Sequence, residues 1–248
     1  MIIWLASYPR SGNTFFRILL HRLYALETYS VYPLQDTSRL SAEDVRKLMA
    51  LMGQPEVDCD LETATADSKR FFVKTHGLPA QDEAPAIVIV RDGRDALVSY
   101  AHFLLKTTGG VDEYKDNDLF ESTLERIITS DGPYAFGGWS RNVSAWLNRT
   151  GRKSVVRYED LIQDPVNTVR TAVEPLIGRP LNSATVPSFD ALHESVPWFF
   201  RKGRIGTWKE DLPTRLRDLF LQLHGDMLRQ LGYEAFPSAP ETNGVTHV

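Results

Sequence analysis

Residues 2–16 read Ile2-Ile3-Trp4-Leu5-Ala6-Ser7-Tyr8-Pro9-Arg10-Ser11-Gly12-Asn13-Thr14-Phe15-Phe16. The opening run is apolar without polar alternation, the pattern of a short strand covered on both faces. Tyr8-Pro9-Arg10 cuts it off after a few residues, and no basic stretch precedes it, so it reads as a strand and not as a secretory leader. Beyond the break, Phe15, Phe16, Leu19, Leu20 and Leu23 share one face of a helix. A strand, a tight loop and an amphipathic helix in immediate succession form a phosphate cradle, because the helix presents unbonded N–H groups and the positive end of its dipole to whatever sits in the loop. Set against the Walker pattern GxxxxGK followed by Ser or Thr, the loop keeps Gly12 and Thr14 but has Ser7 for the first glycine and Asn13 for the lysine. Arg10 and the hydroxyls of Ser11 and Thr14 add donors. Alone, the same residues also describe a plain βα turn shaped by Pro9 and Gly12 and capped by Ser11.

Working outward, short apolar runs at Phe71–Lys74, Ala86–Val90 and Ser154–Tyr158 predict three more strands. Between and after them lie helical patterns: Ala96, Leu97, Tyr100, Ala101, Leu104 and Leu105 on one face, a helix opened by Asp164-Pro165, and one opened by Pro213 that carries Leu216, Leu219, Phe220, Leu223 and Met227 before Gly232. Trp139 and Trp146 are spaced for one buried helix face. This alternation predicts an α/β chain, a P-loop-like three-layer fold with a central parallel sheet. Residues 27–69 and 107–138, the latter with Gly109-Gly110 and Asp131-Gly132-Pro133 turn signals, are too long for plain connections and read as helical lid insertions over the carboxyl edge of the sheet. Residues 1–236 are expected to form a single domain, with 237–248 a flexible tail.

The 28 Lys and Arg against 32 Asp and Glu give a net charge of -4, so there is no electrostatic case for nucleic-acid binding, and an anion site must be local. The one cysteine, Cys59, excludes an internal disulfide and a multi-cysteine metal centre and fits a reducing compartment. No run approaches the roughly 20 apolar residues of a spanning helix. The expected location is cytoplasmic. Asn142-Val143-Ser144 and Asn148-Arg149-Thr150 match the glycosylation acceptor pattern, which has meaning only in a secreted chain.

Taken together, several blocks in this order resemble the sulfotransferases that use 3′-phosphoadenosine 5′-phosphosulfate (PAPS). Ser7 to Phe15 is similar to that family's 5′-phosphosulfate loop, Val73-Lys74-Thr75-His76 to its catalytic segment, and Arg91 to Tyr100 to its 3′-phosphate segment. Arg201-Lys202-Gly203-Arg204-Ile205-Gly206-Thr207-Trp208-Lys209 is similar to its late RKGxxGxWK signature, and Val156 to Leu161 is a weaker match. Arg10 stands where many members have lysine, and Phe15 where tryptophan is common. The family's C-terminal dimerisation motif is not evident, which leaves the oligomeric state open.

The resemblance implies transfer of a sulfuryl group from PAPS to a hydroxyl or amine of a small-molecule acceptor, release of 3′-phosphoadenosine 5′-phosphate (PAP), and no metal. His76 is implied as general base, Lys74 and Arg10 as the cations at the transferring group. Ser11, Gly12, Asn13, Thr14 and Phe15 are implied around the phosphosulfate and adenine; Arg91, Ser99, Arg201, Lys202 and Gly203 at the 3′-phosphate; and Tyr158, Phe189 and Trp208 near the base. Residue types alone also permit an exposed His76, a solvated Lys74, and Arg91 and Arg94 paired with Asp92 and Asp95; for Arg94 the pairing is the expectation. The acceptor would enter under the two lids, where Tyr29, Tyr32, Phe103, Tyr114, Phe120 and Phe136 point to an aromatic or lipid-like pocket. Two rivals remain: a nucleotide kinase or NTPase with a degenerate P-loop, opposed by the missing lysine, and a nucleotide-binding module without turnover.

Overall fold

The computed structural model describes residues 1–32, 41–56, 60–108, 117–130, 136–183, 185–197, 199–200 and 203–233. Cys59, Tyr114, Arg201, Lys202, both lid turn signals and the tail lie outside these residues.

The four expected strands are present as β1 (Ile2–Ser7), β3 (Phe71–Thr75), β4 (Ala86–Val90) and β5 (Lys153–Arg157). A fifth, β2 (Thr28–Ser30), lies inside the first insertion and extends the sheet. All run parallel in the order β2-β3-β1-β4-β5, with Leu5 level with Lys74 on one side and Ile87 on the other. The helices in chain order are α1 (Asn13–Tyr24), α2 (Ala42–Leu51), α3 (Leu61–Ala66), α4 (Gly93–Thr108), α5 (Asn117–Thr129), α6 (Trp139–Asn148), α7 (Tyr158–Gln163), α8 (Pro165–Ile177), α9 (Phe189–Ser195), α10 (Trp208–Asp211) and α11 (Thr214–Gln230). The two insertions are helical in part, through α2, α3 and α5. Asp164 caps α8 by accepting from Asn167 N at 3.2 Å, and Pro165 occupies its first turn, as its sequence predicts.

Alternate side chains of the buried strands build two cores. Ile3, Leu5, Phe72, Ile87 and Ile89 pack with α1, α7 and α8; Trp4, Ala6, Val73, Val88 and Val90 pack with α4, α6 and α11. Trp139 and Trp146 are fully buried in the second layer. These are the expected three layers. After β1 the chain passes to β2 and β3 on one side, then returns to β4 and β5 on the other, so α1 and α4 leave β1 and β4 on opposite faces of the sheet. The crevice at the carboxyl ends of these neighbouring strands is where open α/β sheets bind ligands. It receives the loop Tyr8–Gly12, the end of β3 and the start of α4.

Candidate active site

The loop after β1 is held open by two left-handed residues, Arg10 (φ 63°) and Gly12 (φ 102°). A Cβ on Gly12 would lie 2.6 Å from Tyr158 Cδ2, so the missing side chain lets the Tyr158 ring close against the loop. Asn13, at the position of the Walker lysine, turns inward: its Nδ2 donates to Leu5 O at 2.9 Å and Ser7 Oγ at 3.2 Å, fastening the loop to its strand. No side chain caps α1, and its first turn carries no acid, so its leading N–H groups and the dipole face the crevice uncompensated. Ser11, 1% exposed, has no hydrogen-bond partner for its Oγ among the described residues. A buried hydroxyl without a partner beside bare helix amides suits an oxyanion.

His76 follows β3 and lies across the crevice from this loop. Its Nδ1 is 2.8 Å from Ser7 O and 3.3 Å from Ser7 Oγ. A carbonyl can only accept, so Nδ1 carries the proton and Nε2 is the basic nitrogen of the neutral ring. Asn142 Nδ2 donates to His76 O at 2.8 Å, and Tyr32 and Phe136 lie at ring-centroid distances of 6.2 and 5.8 Å from the imidazole. Burial, and after it the charge of Lys74, push the imidazole well below its usual range, while its bond to Ser7 O opposes them. The ring therefore stays neutral at physiological pH.

Lys74 is lowered to about 7, first by burial and then by the Arg17 and Arg10 charges. Its Nζ is 5.7 Å from the centre of the Tyr32 ring. Arg17 escaped the sequence reading. It is 1% exposed, donates from Nε to Thr28 Oγ1 at 2.8 Å and from Nη2 to Gln54 Oε1, and is itself pushed down to about 9 by burial. Through these bonds α1 grips β2 and the chain that follows α2. The available signal was spacing: Asn13, Arg17, Leu20 and Tyr24 recur at one helical face, whose other members are hydrophobic or inward-turned.

At the other end, Arg91 joins three segments. Nη1 donates to Arg10 O at 3.0 Å, Nη2 donates to Arg204 O at 3.3 Å and lies 3.7 Å from Asp95 Oδ2, and the guanidinium covers the Tyr158 ring at 4.2 Å. Its Nε is buried without a partner among the described residues. Arg10 reaches the same end: Nε is 3.4 Å from Ser99 Oγ, Nη2 donates to Phe199 O at 2.9 Å, and Phe103 and Phe199 flank it. The Phe15 and Phe189 rings meet with centroids 4.8 Å apart and planes tilted by 45°, and a Cβ on Gly203 would lie 2.3 Å from the Phe189 ring. Phe15, Phe189 and Gly203, from three separate parts of the chain, thus meet. Trp208 instead covers Arg94 at 4.0 Å, and Arg94 is paired with Asp92 at 2.7 Å, the pairing its sequence suggested. Among the described residues no three His, Cys, Asp or Glu side chains converge on a point suited to a metal ion.

A crevice of this kind has relatives. Residues 2–190 match the family model described as the sulfotransferase domain, about three quarters of the chain. The chain belongs to the sulfotransferase family. The match reaches Phe189 and α9 and ends before Gly203, so the late block rests on the geometry above. Among curated relatives, this sulfotransferase is 24% identical to mouse (Mus musculus) sulfotransferase 1E1 and 25% identical to bovine (Bos taurus) sulfotransferase 1A1, each alignment covering 87% of this chain and 79% of the relative. In fold it is similar to mouse sulfotransferase SULT7A1 complexed with PAP, with a TM-score of 0.65 and 19% identity over 92% of this chain and 84% of the other. Retinol dehydratase in complex with androsterone and PAP gives 0.59 and 18% over 96% and 82%.

Proposed function

We propose that this sulfotransferase takes its sulfuryl group from PAPS and passes it to a hydroxyl or amine of a small acceptor, with His76 as general base. The observation that supports this reading is the hydrogen bond from His76 Nδ1 to Ser7 O, which leaves Nε2 as the unprotonated nitrogen of the neutral ring and so suits it to accept a proton. The pocket suits PAPS: the orphaned Ser11 hydroxyl and the leading amides of α1 match the phosphosulfate, Arg91 Nε and Ser99 lie where a 3′-phosphate would reach them, and Phe15 and Phe189 are placed to hold an adenine. The solved relatives complexed with PAP support the same choice of nucleotide.

PAPS supplies the sulfur electrophile and a phosphate leaving group: the acceptor oxygen or nitrogen bonds to sulfur as the sulfur–oxygen bond to the phosphate breaks. The residues divide the remaining work. His76 Nε2 takes the acceptor's proton; Lys74 faces the sulfuryl oxygens; Arg10 and the α1 amides offset charge gathering on the departing phosphate. Asn13 contributes through its backbone and by holding the loop in shape. Arg201 and Lys202 would complete the cationic end at the 3′-phosphate, and Trp208 would act at one remove from the base.

Tyr32, Phe136 and His76 form a mutually packed aromatic surface, with Tyr32 and Phe136 rings 5.6 Å apart, and we assign the acceptor to it, under the 27–69 and 107–138 insertions. A flat apolar acceptor fits such a wall, and the retinol and androsterone held by a solved relative are of that shape. The cytoplasm is the assigned compartment; no helix among the described residues is long and apolar enough to cross a membrane. The test is transfer of labelled sulfate from PAPS to a panel of phenols, alcohols, sugars and amines by the wild-type chain and by His76→Ala. Loss of about 10² to 10⁴ in rate, with PAP affinity retained, is the expected result. A His76→Ala chain that transfers at the wild-type rate would remove the base assignment; a wild-type chain stabilised by PAP yet inert toward every acceptor class would favour a silent nucleotide-binding module.

A further inference from the structure

Asn142 opens one of the two glycosylation acceptor patterns, yet it is 1% exposed and both hydrogens of its side-chain amide are committed inside the protein. Nδ2 donates to His76 O at 2.8 Å and to Phe136 O at 2.7 Å. Carbonyl oxygens only accept, so the group between them is the NH2, and each of its hydrogens serves one loop. One turn further along α6, Trp146 Nε1 donates to Gly77 O at 2.8 Å. Residues four apart share a helix face, so one face of α6 takes hold of two successive carbonyls just past the end of β3 and of a third in the 107–138 insertion. The helix itself is fixed, because Trp139, Val143 and Trp146 are buried in the core layer that holds Trp4, Val73, Val88 and Val90. Asn142 thereby ties the loop of His76 to the loop of Phe136, whose rings meet with centroids 5.8 Å apart and planes at 74°.

We propose that Asn142 is a positioning residue for sulfuryl transfer, holding the His76 base and the Phe136 wall of the acceptor site at one fixed separation. The proposal rests on the reading that His76 is the general base and that the acceptor lies on the Tyr32–Phe136 surface. In that reading the acceptor's proton must come within hydrogen-bond reach of Nε2, and a displacement of about 1 Å is enough to slow the step. β3 ends at Thr75; beyond it, Ser7 O holds the ring at Nδ1 while Asn142 and Trp146 hold the backbone that carries it. Asn142 acts through two carbonyls and not on the reacting atoms. Aspartate in its place has at most one O–H for those two carbonyls, and its other oxygen faces an acceptor.

The deciding experiment compares the wild-type chain with Asn142→Asp, Trp146→Phe, His76→Ala and the double variant Asn142→Asp/His76→Ala, and adds Val143→Ala, which thins the core beneath the same helix, as the control for lost stability. Read for each are PAP affinity, kcat and acceptor KM with the phenol, alcohol or amine that the wild type sulfates fastest, and the nitrogen NMR signals of the His76 ring, identified by their loss in His76→Ala. Asn142→Asp should lose about 10- to 100-fold in kcat/KM for the acceptor while its PAP affinity stays within about twofold, and its His76 should pass from the Nδ1–H form to a mixture of tautomers. Trp146→Phe, which removes one donor to the same loop, should shift in the same direction by about two- to fivefold. In the His76→Ala background, Asn142→Asp should cost less than about threefold more, because it acts through the ring that is gone. Val143→Ala should melt lower and transfer at the wild-type rate. A wild-type rate and an unchanged tautomer in Asn142→Asp, or the same loss with and without His76, would overturn the proposal; if Asn142→Asp does not fold, Trp146→Phe decides by the same criteria. A His76→Ala chain at the wild-type rate would instead remove the base reading, and a wild type inert toward every acceptor would remove the functional one, with the His76 tautomer still deciding whether Asn142 holds the ring.

Discussion

Nucleotide binding should take up a proton at Lys74. In the unliganded protein this lysine is held to about 7 by burial and by the cations Arg17 and Arg10, with Tyr32 and His76 the other groups facing it. An anion arriving beside it reverses the electrostatic balance and returns the ammonium toward the ordinary lysine range. Only the protonated form offers the anion a charge, so the sign is fixed: affinity is full below pH 7 and falls as pH rises through it. With a free value of about 7 and the bound lysine protonated throughout this range, the PAP association constant should drop by about 90-fold between pH 6 and pH 9, and binding at pH 8 should absorb about 0.9 proton. Phosphate monoesters have a second pKa near 6, so above pH 7.5 they contribute little to that uptake, and the imidazole of His76 is neutral throughout. Calorimetric titration with PAP at pH 8 in two buffers of different ionisation enthalpy reads the proton number directly. Lys74→Met should reduce it to near zero and flatten the pH dependence. No uptake in the wild type, or the same uptake in Lys74→Met, would refute the electrostatic account of this lysine.

Other outcomes follow from the same geometry. Arg17→Met should raise the pKa of Lys74, so that PAP uptake of protons at pH 8 falls toward about half a proton while the onset of the affinity loss moves to higher pH. The rate of sulfuryl transfer should show no acid limb near pH 6.5, because His76 is depressed well below that value; a limb at the ordinary imidazole pKa in a pH–rate profile would contradict its burial. Gly12→Ala combines a left-handed backbone with a Cβ 2.6 Å from Tyr158 Cδ2 and should cost about 1–3 kcal/mol in urea unfolding; Tyr158→Ala in the same chain should recover the steric part and leave the backbone part. Asn13→Lys, which restores the Walker residue, should lower the melting temperature without conferring ATP hydrolysis, since it puts a cation where an amide now bonds Leu5 O and Ser7 Oγ.

Much of this architecture was legible because β1 and β4 are buried on both faces and stand out as unbroken apolar runs, and the shorter apolar runs of β3 (Phe71–Val73) and of the edge strand β5 (Val155-Val156) follow the same pattern in part. β2 does not. Its three residues, Thr28-Tyr29-Ser30, have no apolar run, and they form a strand only because β3 offers an edge and Arg17 pins Thr28 from α1. The site divides similarly. The loop from Ser7 to Phe15 and the Lys74–His76 pair are contiguous motifs, which the family resemblance picks out although each alone also has a plain structural reading. The clasp made by Arg91 is not, because its partners at Arg10 and Arg204 are 81 and 113 residues away and are backbone carbonyls, which carry no sequence signature. Arg17 was hidden for a different reason: a lone charge within a hydrophobic helix reads as solvated until the sheet edge that buries it is known.

The two ends of the site differ in how their cations are balanced, and the difference bears on catalysis. At the nucleotide end, Arg94 is paired with Asp92, and Arg91 stands beside Asp95 while its Nη1 and Nη2 donate to carbonyls and its Nε stays open. Those charges each have a carboxylate beside them, and much of their work is to hold segments in register. At the reacting end, Lys74 is lowered first by burial and then by the cations Arg17 and Arg10, and His76 beside it is kept neutral first by burial and then by the Lys74 charge. Like charges brought together in a buried site cost stability in the empty protein, and an anion among them relieves that cost. Relief is greatest where negative charge is most concentrated, which in sulfuryl transfer is the bridging oxygen of the departing phosphate as its bond to sulfur breaks. The positive charge at Arg10 and Lys74 therefore favours the transition state over the bound nucleotide, and a carboxylate introduced beside them, as in Tyr32→Glu, should raise the melting temperature while slowing transfer.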